Sequence, residues 1–180
     1  MVSTNTKPNT SAVSRRLALQ LSLAGLTSAG LGSSLSAWAA GNDNLITVWK
    51  NPDCGCCKEW VTHLKRNGFD VVTNDIKDTA PIRQKLGLPA KFGSCHTAQL
   101  GAYVLEGHVP SQEIKRLVRE KPKAVGLAVP GMPVGSPGME VGSTQDAYDV
   151  LLVLADGSSR VYQSYPSKIV KSSLQSSPKF

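Results

Sequence analysis

The segment from residue 45 to residue 68 has the sequence LITVWKNPDCGCCKEWVTHLKRNG. Its first five residues, Leu45–Trp49, are rich in β-branched and aromatic side chains, which predicts a strand. Asn51-Pro52-Asp53 interrupts the strand, and apolar residues then recur with the spacing of one helical face. The residues of this face are Cys57, Trp60, Val61 and Leu64. The segment therefore predicts a strand, a turn and a helix, with Cys54 at the start of the helix and Cys57 one turn further in.

Three of the four cysteines lie at this predicted strand-to-helix junction. Unpaired N–H groups and the positive end of the helix dipole favour thiolate over thiol, which assists both nucleophilic sulfur chemistry and metal binding. Cys54 and Cys57 have the spacing of a redox pair. Cys56, in contrast, would scramble a disulfide in an oxidising compartment and suits a soft metal ion surrounded by sulfur. A structural zinc site is the weaker metal assignment, since the sequence lacks a second spaced cysteine pair.

Strand and helix patterns alternate through the next 50 residues. They predict a strand over 69–73, a helix over 79–86, a loop over 87–99, a strand over 102–105, the turn of a small hairpin at 107–108 and a helix from Ser111 that ends before Pro122. This order is that of a thioredoxin or glutaredoxin core.

A segment of different composition follows this core. Residues 130–142 hold three prolines and four glycines, which predicts a loop. Residues 148–154 and 160–165 flank Asp156-Gly157 and predict a β-hairpin. We therefore expect an α/β fold with a thioredoxin/glutaredoxin-like core and a C-terminal Gly/Pro/Met loop and β-hairpin extension. The domain would span residues 45–165, and residues 166–180 would form a flexible tail.

The fourth thiol, Cys95, lies in the predicted loop as Ser94-Cys95-His96-Thr97. In thioredoxin-like domains the loop before the third core strand packs against the CxxC motif, so Cys95 would join the other thiols. His96 would add an imidazole, unless it is an exposed loop histidine. His63 lies seven residues beyond Cys56, about 10 Å along a helix, and is expected at the surface. His108 is expected to be a turn residue.

Met132 and Met139 each follow a glycine in the Gly/Pro-rich loop and lie on no amphipathic face. Methionine more often fills gaps in a core. Thioethers, however, bind Cu(I) well and attract Mg²⁺ or Ca²⁺ little, so a methionine loop above a cysteine cluster argues for copper. We expect both methionines to complete or cover the site.

The first 39 residues have the pattern of an export signal. Arg15 and Arg16 precede an apolar stretch, and Ala37-Trp38-Ala39 offers small residues at the positions that signal peptidase recognises. We predict a twin-arginine signal cleaved after Ala39, with an uncleaved N-terminal anchor as the alternative. The mature chain would then lie in the periplasm, where its four cysteines could form two disulfides, one or none. No later segment has the composition of a membrane span.

The chain has a formal net charge of +7. Basic residues cluster on one predicted helix and its exit without interleaved aromatic residues. They are Lys115, Arg116, Arg119, Lys121 and Lys123. This pattern is typical of a solvated helix face rather than a nucleic-acid interface, and we expect no nucleic-acid partner.

Four motifs, in this order, resemble those of the CopG-type copper-resistance proteins. They are Asn51-Pro52-Asp53-Cys54-Gly55-Cys56-Cys57, Ser94-Cys95-His96-Thr97-Ala98, Glu106-Gly107-His108-Val109-Pro110, and the Gly/Pro/Met segment of residues 126–139. This periplasmic, thioredoxin-like family is catalogued as a domain of unknown function and is distinct from the ribbon-helix-helix repressors of the same name. The resemblance implies copper binding through the CxCC cysteines and the Ser-Cys-His loop, copper tolerance of the cell envelope, and thiol-dependent interconversion of Cu(I) and Cu(II).

The leading hypothesis is a periplasmic protein that sequesters or handles Cu(I), exchanging it with other copper-handling proteins. Its metal-site residues would be Cys54, Cys56, Cys57, Cys95, His96, Met132 and Met139. The alternative is a thiol-disulfide oxidoreductase in which Cys54 attacks and Cys57 resolves. A zinc-stabilised interaction module is a third possibility. If the protein is an enzyme, the residues favour a copper- or thiol-dependent oxidoreductase.

Overall fold

The computed structural model describes residues 44–168, which form one mixed sheet covered by helices. The predicted export signal and the tail beyond Lys168 lie outside the described residues. The elements are β1 (Leu45–Lys50), α1 (Gly55–Arg66), β2 (Asp70–Asp75), α2 (Ala80–Lys85), a 3₁₀ turn (Ala90–Phe92), β3 (His96–Leu100), β4 (Tyr103–Glu106), α3 (Ser111–Glu120), β5 (Gly126–Ala128), β6 (Tyr148–Val153) and β7 (Ser159–Tyr165).

The seven strands follow the spatial order β2-β1-β3-β4-β5-β6-β7. β1 is parallel to β2 and β4 is parallel to β5, while the other neighbouring pairs are antiparallel. The α/β class, the three predicted helices and the C-terminal hairpin are confirmed.

Two predictions about the middle of the chain are wrong. The expected loop over 87–99 contains the start of β3, which pairs with both β1 and β4 in the interior of the sheet. The hairpin turn lies at Gly101-Ala102 between β3 and β4, whereas Gly107 and His108 belong to the connection from β4 to α3. The short strand β5 was not expected. Pairing with neighbouring strands, rather than local β propensity, determines β3 and β5.

The core has two parts because successive strand residues point to opposite faces of the sheet. Leu105, Leu127 and Leu152 pack in the larger cluster, which includes Trp60 and Leu64 of α1 and Ile114 and Leu117 of α3. Their strand neighbours Val104, Ala128 and Val153 pack on the opposite face in a smaller cluster with Leu88 and Phe92, around the 3₁₀ turn. All four predicted apolar positions of α1 are buried.

The C-terminal extension is attached to α3. Tyr165 donates its hydroxyl hydrogen to the buried Glu113 at 3.0 Å, and Arg116 lies over the ring of Tyr162 at 3.6 Å. Tyr148 and Tyr165 stack with ring centroids 4.7 Å apart. These contacts fix the hairpin against the core, so the loop before it has two anchored ends. Within the described range, no helix combines the length and apolar character that crossing a bilayer requires.

His63 lies between α1 and α3 rather than freely on the surface. The backbone N–H of Ser111, one of the unpaired donors at the start of α3, donates to His63 Nε2 at 3.1 Å. Burial lowers the pKa of His63, Glu140 raises it to a smaller extent, and Lys115 lowers it further. A protonated ring would lose this hydrogen bond and place positive charge at the positive end of the α3 dipole.

Gly138 holds the Gly/Pro-rich loop against the first turn of α1. Its φ is +88°, and a Cβ atom there would lie 2.7 Å from both Cys56 O and Trp60 N. The contact is between backbones, so a side chain could not be accommodated by a rotamer change. Only glycine satisfies both the conformation and the close approach.

We expect Gly138→Ala to lower the free energy of unfolding by about 3 kcal/mol, because overpacking adds to the cost of a left-handed backbone. Gly142→Ala is the matched control, since Gly142 also has a positive φ but a Cβ there would have no neighbour within 4 Å. That control should lose only about 1 kcal/mol. Denaturant unfolding of both variants measures the difference, and equal losses would contradict the close approach.

Stability should fall as the pH decreases below the unfolded-state histidine pKa of about 6.5, since the lowered pKa of His63 makes the unfolded chain bind more protons. His63→Gln keeps an acceptor for Ser111 N–H without titrating, so its stability should fall less over the same range. Denaturant unfolding of the metal-free proteins at a series of pH values measures this. Identical pH profiles would show that His63 does not contribute.

Candidate metal centre

The four cysteines converge at one end of the sheet. The sulfur atoms of Cys54, Cys56, Cys57 and Cys95 all lie within 4.8 Å of one another. Cys54 and Cys57 form a disulfide, while Cys56 and Cys95 are free thiols and partly exposed. The sulfur of Cys56 lies 3.4 Å from that of Cys54. The predicted gathering of Cys95 with the CxCC motif is therefore present in the structure.

The turn after β1 places Cys54 at the N-cap of α1. The N–H of Cys54 donates to Asn51 O at 3.1 Å, and Asp53 N–H donates to the Asn51 side chain at 2.8 Å. The sulfur of Cys54 accepts a hydrogen bond from Cys57 N–H at 3.3 Å. This position has unpaired amide groups and the positive dipole end of the helix, which favour a thiolate once the disulfide is reduced.

Cys95 also belongs to a second group with two buried histidines. Its sulfur lies 3.2 Å from His96 Nδ1 and 3.1 Å from His108 Nε2. His96 begins β3 and His108 follows β4, and both side chains are fully buried. His108 is therefore not a simple turn residue, contrary to expectation. Its place in the Glu106-Gly107-His108-Val109-Pro110 motif was the available sequence signal.

Backbone contacts set the orientation of His108. Its Nδ1 lies 2.8 Å from Pro137 O, and a carbonyl oxygen only accepts, so Nδ1 carries the proton and Nε2 faces Cys95 unprotonated. Such a partner on the second ring nitrogen is typical of metal-binding histidines. The carbonyl belongs to the Gly/Pro-rich loop, which thereby contributes to the site.

Trp60 fixes His96 from the side of α1. The ring centroids of Trp60 and His96 lie 4.3 Å apart, and the Trp60 indole N–H donates to Val109 O at 2.9 Å. The His96 and His108 rings meet edge to face at 5.0 Å. His96 Nε2 is buried without a hydrogen-bond partner. A buried polar atom of this kind carries a desolvation cost that ordinary fold stability does not require.

Burial controls the protonation of the second group. It raises the pKa of Cys95 to about 12, and the neighbouring Cys56 adds to the increase. Burial also lowers the pKa of His96 to about 3, assisted by His108, and lowers the pKa of His108 itself. Without metal, the thiol is thus protonated and both rings are neutral at neutral pH. A metal ion bound by Cys95 would have to displace its proton.

The two predicted methionines each follow a glycine that contacts a segment carrying a cysteine. Met132 follows Gly131, whose carbonyl accepts a hydrogen bond from Ser94 Oγ at 2.5 Å. Met139 follows Gly138, the residue packed against α1 at Cys56. The side chain of Met132 is 54% exposed, while that of Met139 is half-buried. The loop therefore leaves the side chain of Met132 largely exposed.

The donor atoms of both groups are sulfur and imidazole nitrogen, and neither group contains a carboxylate. Thiolate and imidazole donors suit Cu(I) and Zn²⁺ and suit Mg²⁺ or Ca²⁺ poorly. The residues therefore fit a soft or borderline metal ion. All four sulfur atoms would be available as ligands only after the Cys54–Cys57 disulfide is reduced.

Comparisons with known proteins relate this chain to one family model and to two solved structures. Residues 92–139 match the family model "Protein of unknown function, DUF411", a range that includes Cys95, both buried histidines and both loop methionines. No curated protein matches the chain. Two solved structures, titled "Copper resistance protein copG- Form 1" and "Form 2", are each 47% identical to it with a TM-score of 0.65.

Each alignment covers 68% of this chain, with 97% of the first structure's chain and 98% of the second's. The alignments thus include nearly the whole length of both relatives. At this identity and coverage, the chain belongs to the CopG family of copper resistance proteins, in which a domain of unknown function is recognised.

Proposed function

We propose that this protein binds copper as Cu(I), sequestering or handling it through its cysteine cluster and so contributing to copper resistance. The observation that carries the proposal is the convergence of four sulfur atoms within 4.8 Å, joined through Cys95 to two buried imidazoles. Two solved relatives named as copper resistance proteins support copper over other soft metals. Zinc is the weaker possibility.

The proposed ligands are the thiolates of Cys54, Cys56, Cys57 and Cys95 with the imidazoles of His96 and His108. His108 extends the set predicted from the sequence, because its Nε2 contacts the same sulfur as His96. Met132 and Met139 would cover the site or supply thioethers at its rim. Thiolate sulfur can bridge metal ions, so the geometry accommodates one Cu(I) or a small cluster.

The alternative function is that of a thiol-disulfide oxidoreductase. One observation favours it: Cys54 and Cys57 form a disulfide at the N-terminus of α1, with Cys57 fully buried and Cys54 partly exposed. The order β1-α1-β2-α2-β3-β4-α3, with neighbours β2-β1-β3-β4, supports our proposal that this part of the chain is a thioredoxin-like core. In this function Cys54 would attack and Cys57 would resolve.

Anaerobic titration of the reduced full-length chain with Cu(I), against a chromogenic chelator, tests the copper proposal. We expect tight binding that weakens by roughly tenfold or more in Cys56→Ser, Cys95→Ser and His108→Gln, since each change removes a donor. His63→Gln is the matched control, because His63 bonds to Ser111 N–H outside the cluster. It should bind Cu(I) like the unchanged chain.

The same proteins separate the two functions. If Cu(I) stays with the chelator while the chain exchanges disulfides with a test substrate, and Cys56→Ser keeps that activity, the oxidoreductase is correct and the copper proposal fails. Preferential, tight uptake of Zn²⁺ in a parallel titration would instead favour the zinc-stabilised module.

We further propose that the chain acts in the periplasm after twin-arginine export. Support comes from the sequence pattern at Arg15 and Arg16 and at Ala37-Trp38-Ala39. An oxidising compartment would also maintain the Cys54–Cys57 disulfide until a thiol reductant opens the site. Exchange of copper with other periplasmic copper-handling proteins would follow from this location.

Replacing both Arg15 and Arg16 with lysine should retain the precursor in the cytoplasm, because the paired guanidinium groups define the signal. Lys7→Arg, which changes a basic residue outside the pair, is the control and should leave export intact. Cell fractionation and N-terminal sequencing measure the outcome, with the exported chain expected to start at Ala40. Normal export of the double variant would exclude the twin-arginine route.

A further inference from the structure

A buried carboxylate lies beside the segment that carries Cys95. Glu106 ends β4, is fully buried, and pairs across the sheet with Thr97 of β3. One of its oxygens accepts from Arg83 Nε at 2.9 Å and from the backbone N–H of Ser94 at 2.6 Å. The other accepts from the Thr97 hydroxyl at 2.6 Å. Both oxygens are therefore engaged by groups that flank Cys95 and His96 in the sequence.

Arg83 of α2 completes the arrangement from the other side. Its Nη2 donates to Ser94 O and to Thr79 Oγ1, each at 3.1 Å, and forms an ion pair with Glu106 at 2.7 Å. A Cβ atom on Gly93 would lie 2.9 Å from Arg83 Nη1, so the guanidinium packs directly on the backbone there. Together the two charged groups hold both the N–H and the C=O of Ser94.

Cys95 follows Ser94 directly, and no regular element holds the backbone between the 3₁₀ turn and β3. The Ser94 hydroxyl also donates a hydrogen bond to Gly131 O in the Gly/Pro-rich loop. The Arg83–Glu106 ion pair thus fixes Ser94, which precedes Cys95 and bonds to the Gly/Pro-rich loop. Burial of an ion pair is weak evidence for a stabilising role, because apolar residues of similar volume in its place often give a protein of equal stability.

We propose that Arg83 and Glu106 are positioning residues, which hold the Ser94 peptide so that Cys95 faces His96, His108 and the CxCC sulfur atoms. This inference rests on the proposed copper function, in which Cys95 is a ligand. The pair acts through the backbone and touches no metal ion itself. Its partners resemble the supporting hydrogen bonds that orient ligands around other metal sites.

The test uses Glu106→Gln, which keeps the side-chain shape but offers a neutral, weaker acceptor to the N–H groups of Arg83 and Ser94 and to the Thr97 hydroxyl. Arg83→Lys is a milder second variant that keeps the charge and loses the forked donor geometry. Glu113→Gln is the matched control, because Glu113 is also buried and paired with an arginine but bonds to Tyr165 in the extension.

The first readout needs no copper. In full-length chains with Cys54, Cys56 and Cys57 replaced by serine, the alkylation rate of Cys95 by iodoacetamide is measured well below the unfolding midpoint. We expect Glu106→Gln and Arg83→Lys to raise the rate severalfold, because the thiol is no longer held against the imidazoles. Glu113→Gln should leave it unchanged even if all three variants lose equal stability.

The second readout is Cu(I) affinity in the otherwise unchanged, reduced chain. Each positioning variant should weaken binding by roughly tenfold, the usual effect of losing a supporting partner, and the control should not. The proposal would be overturned if Cys95 in both positioning variants were alkylated at the same rate as in the chain with Arg83 and Glu106 intact. An equal increase of the alkylation rate in Glu113→Gln would also overturn it. If the unchanged chain binds no Cu(I), the copper function fails, and the alkylation rates alone decide the positioning role.

Discussion

The antiparallel pairing of β1 with β3 is the constraint on which the site depends. Its register sets Lys50 opposite His96, so the end of β1, which leads to the CxCC motif, lies beside the start of β3, which follows Cys95. A shift by one residue would turn His96 to the other face of the sheet, away from Trp60. The sulfur atoms therefore come from two segments, with Cys57 and Cys95 38 residues apart in the chain, which ordinary backbone hydrogen bonds align.

The sequence was sufficient where local pattern determines structure. Helix α1 has four apolar residues on one face and a cysteine at its N-cap, so its start and its buried face were predicted correctly. Strand β3, His-Thr-Ala-Gln-Leu, lacks a β-branched run and exists because strands on both sides pair with it. The role of His108 was equally hidden, since its contact with Cys95 depends on how the chain turns after β4.

Protonation and oxidation state together control access to the donors. The disulfide engages two of the four sulfur atoms, and burial keeps the proton on Cys95 while leaving both histidines neutral. Both imidazoles are thus neutral, whereas Cys54 and Cys57 become thiols only on reduction and Cys95 holds a proton. In the copper function we propose, binding of Cu(I) would consume a thiol reductant and release protons. The metal-free and metal-bound proteins would therefore differ in both oxidation state and protonation.

The Gly/Pro-rich loop touches both segments that supply sulfur. Gly138 packs on the first turn of α1, and Gly131 O accepts a hydrogen bond from Ser94 beside Cys95. Thermodynamic linkage makes this coupling reciprocal. If the packed loop strengthens the binding of an ion, the bound ion stabilises the loop against local unfolding by the same free energy. The loop's susceptibility to proteases would then report on occupancy from outside the site.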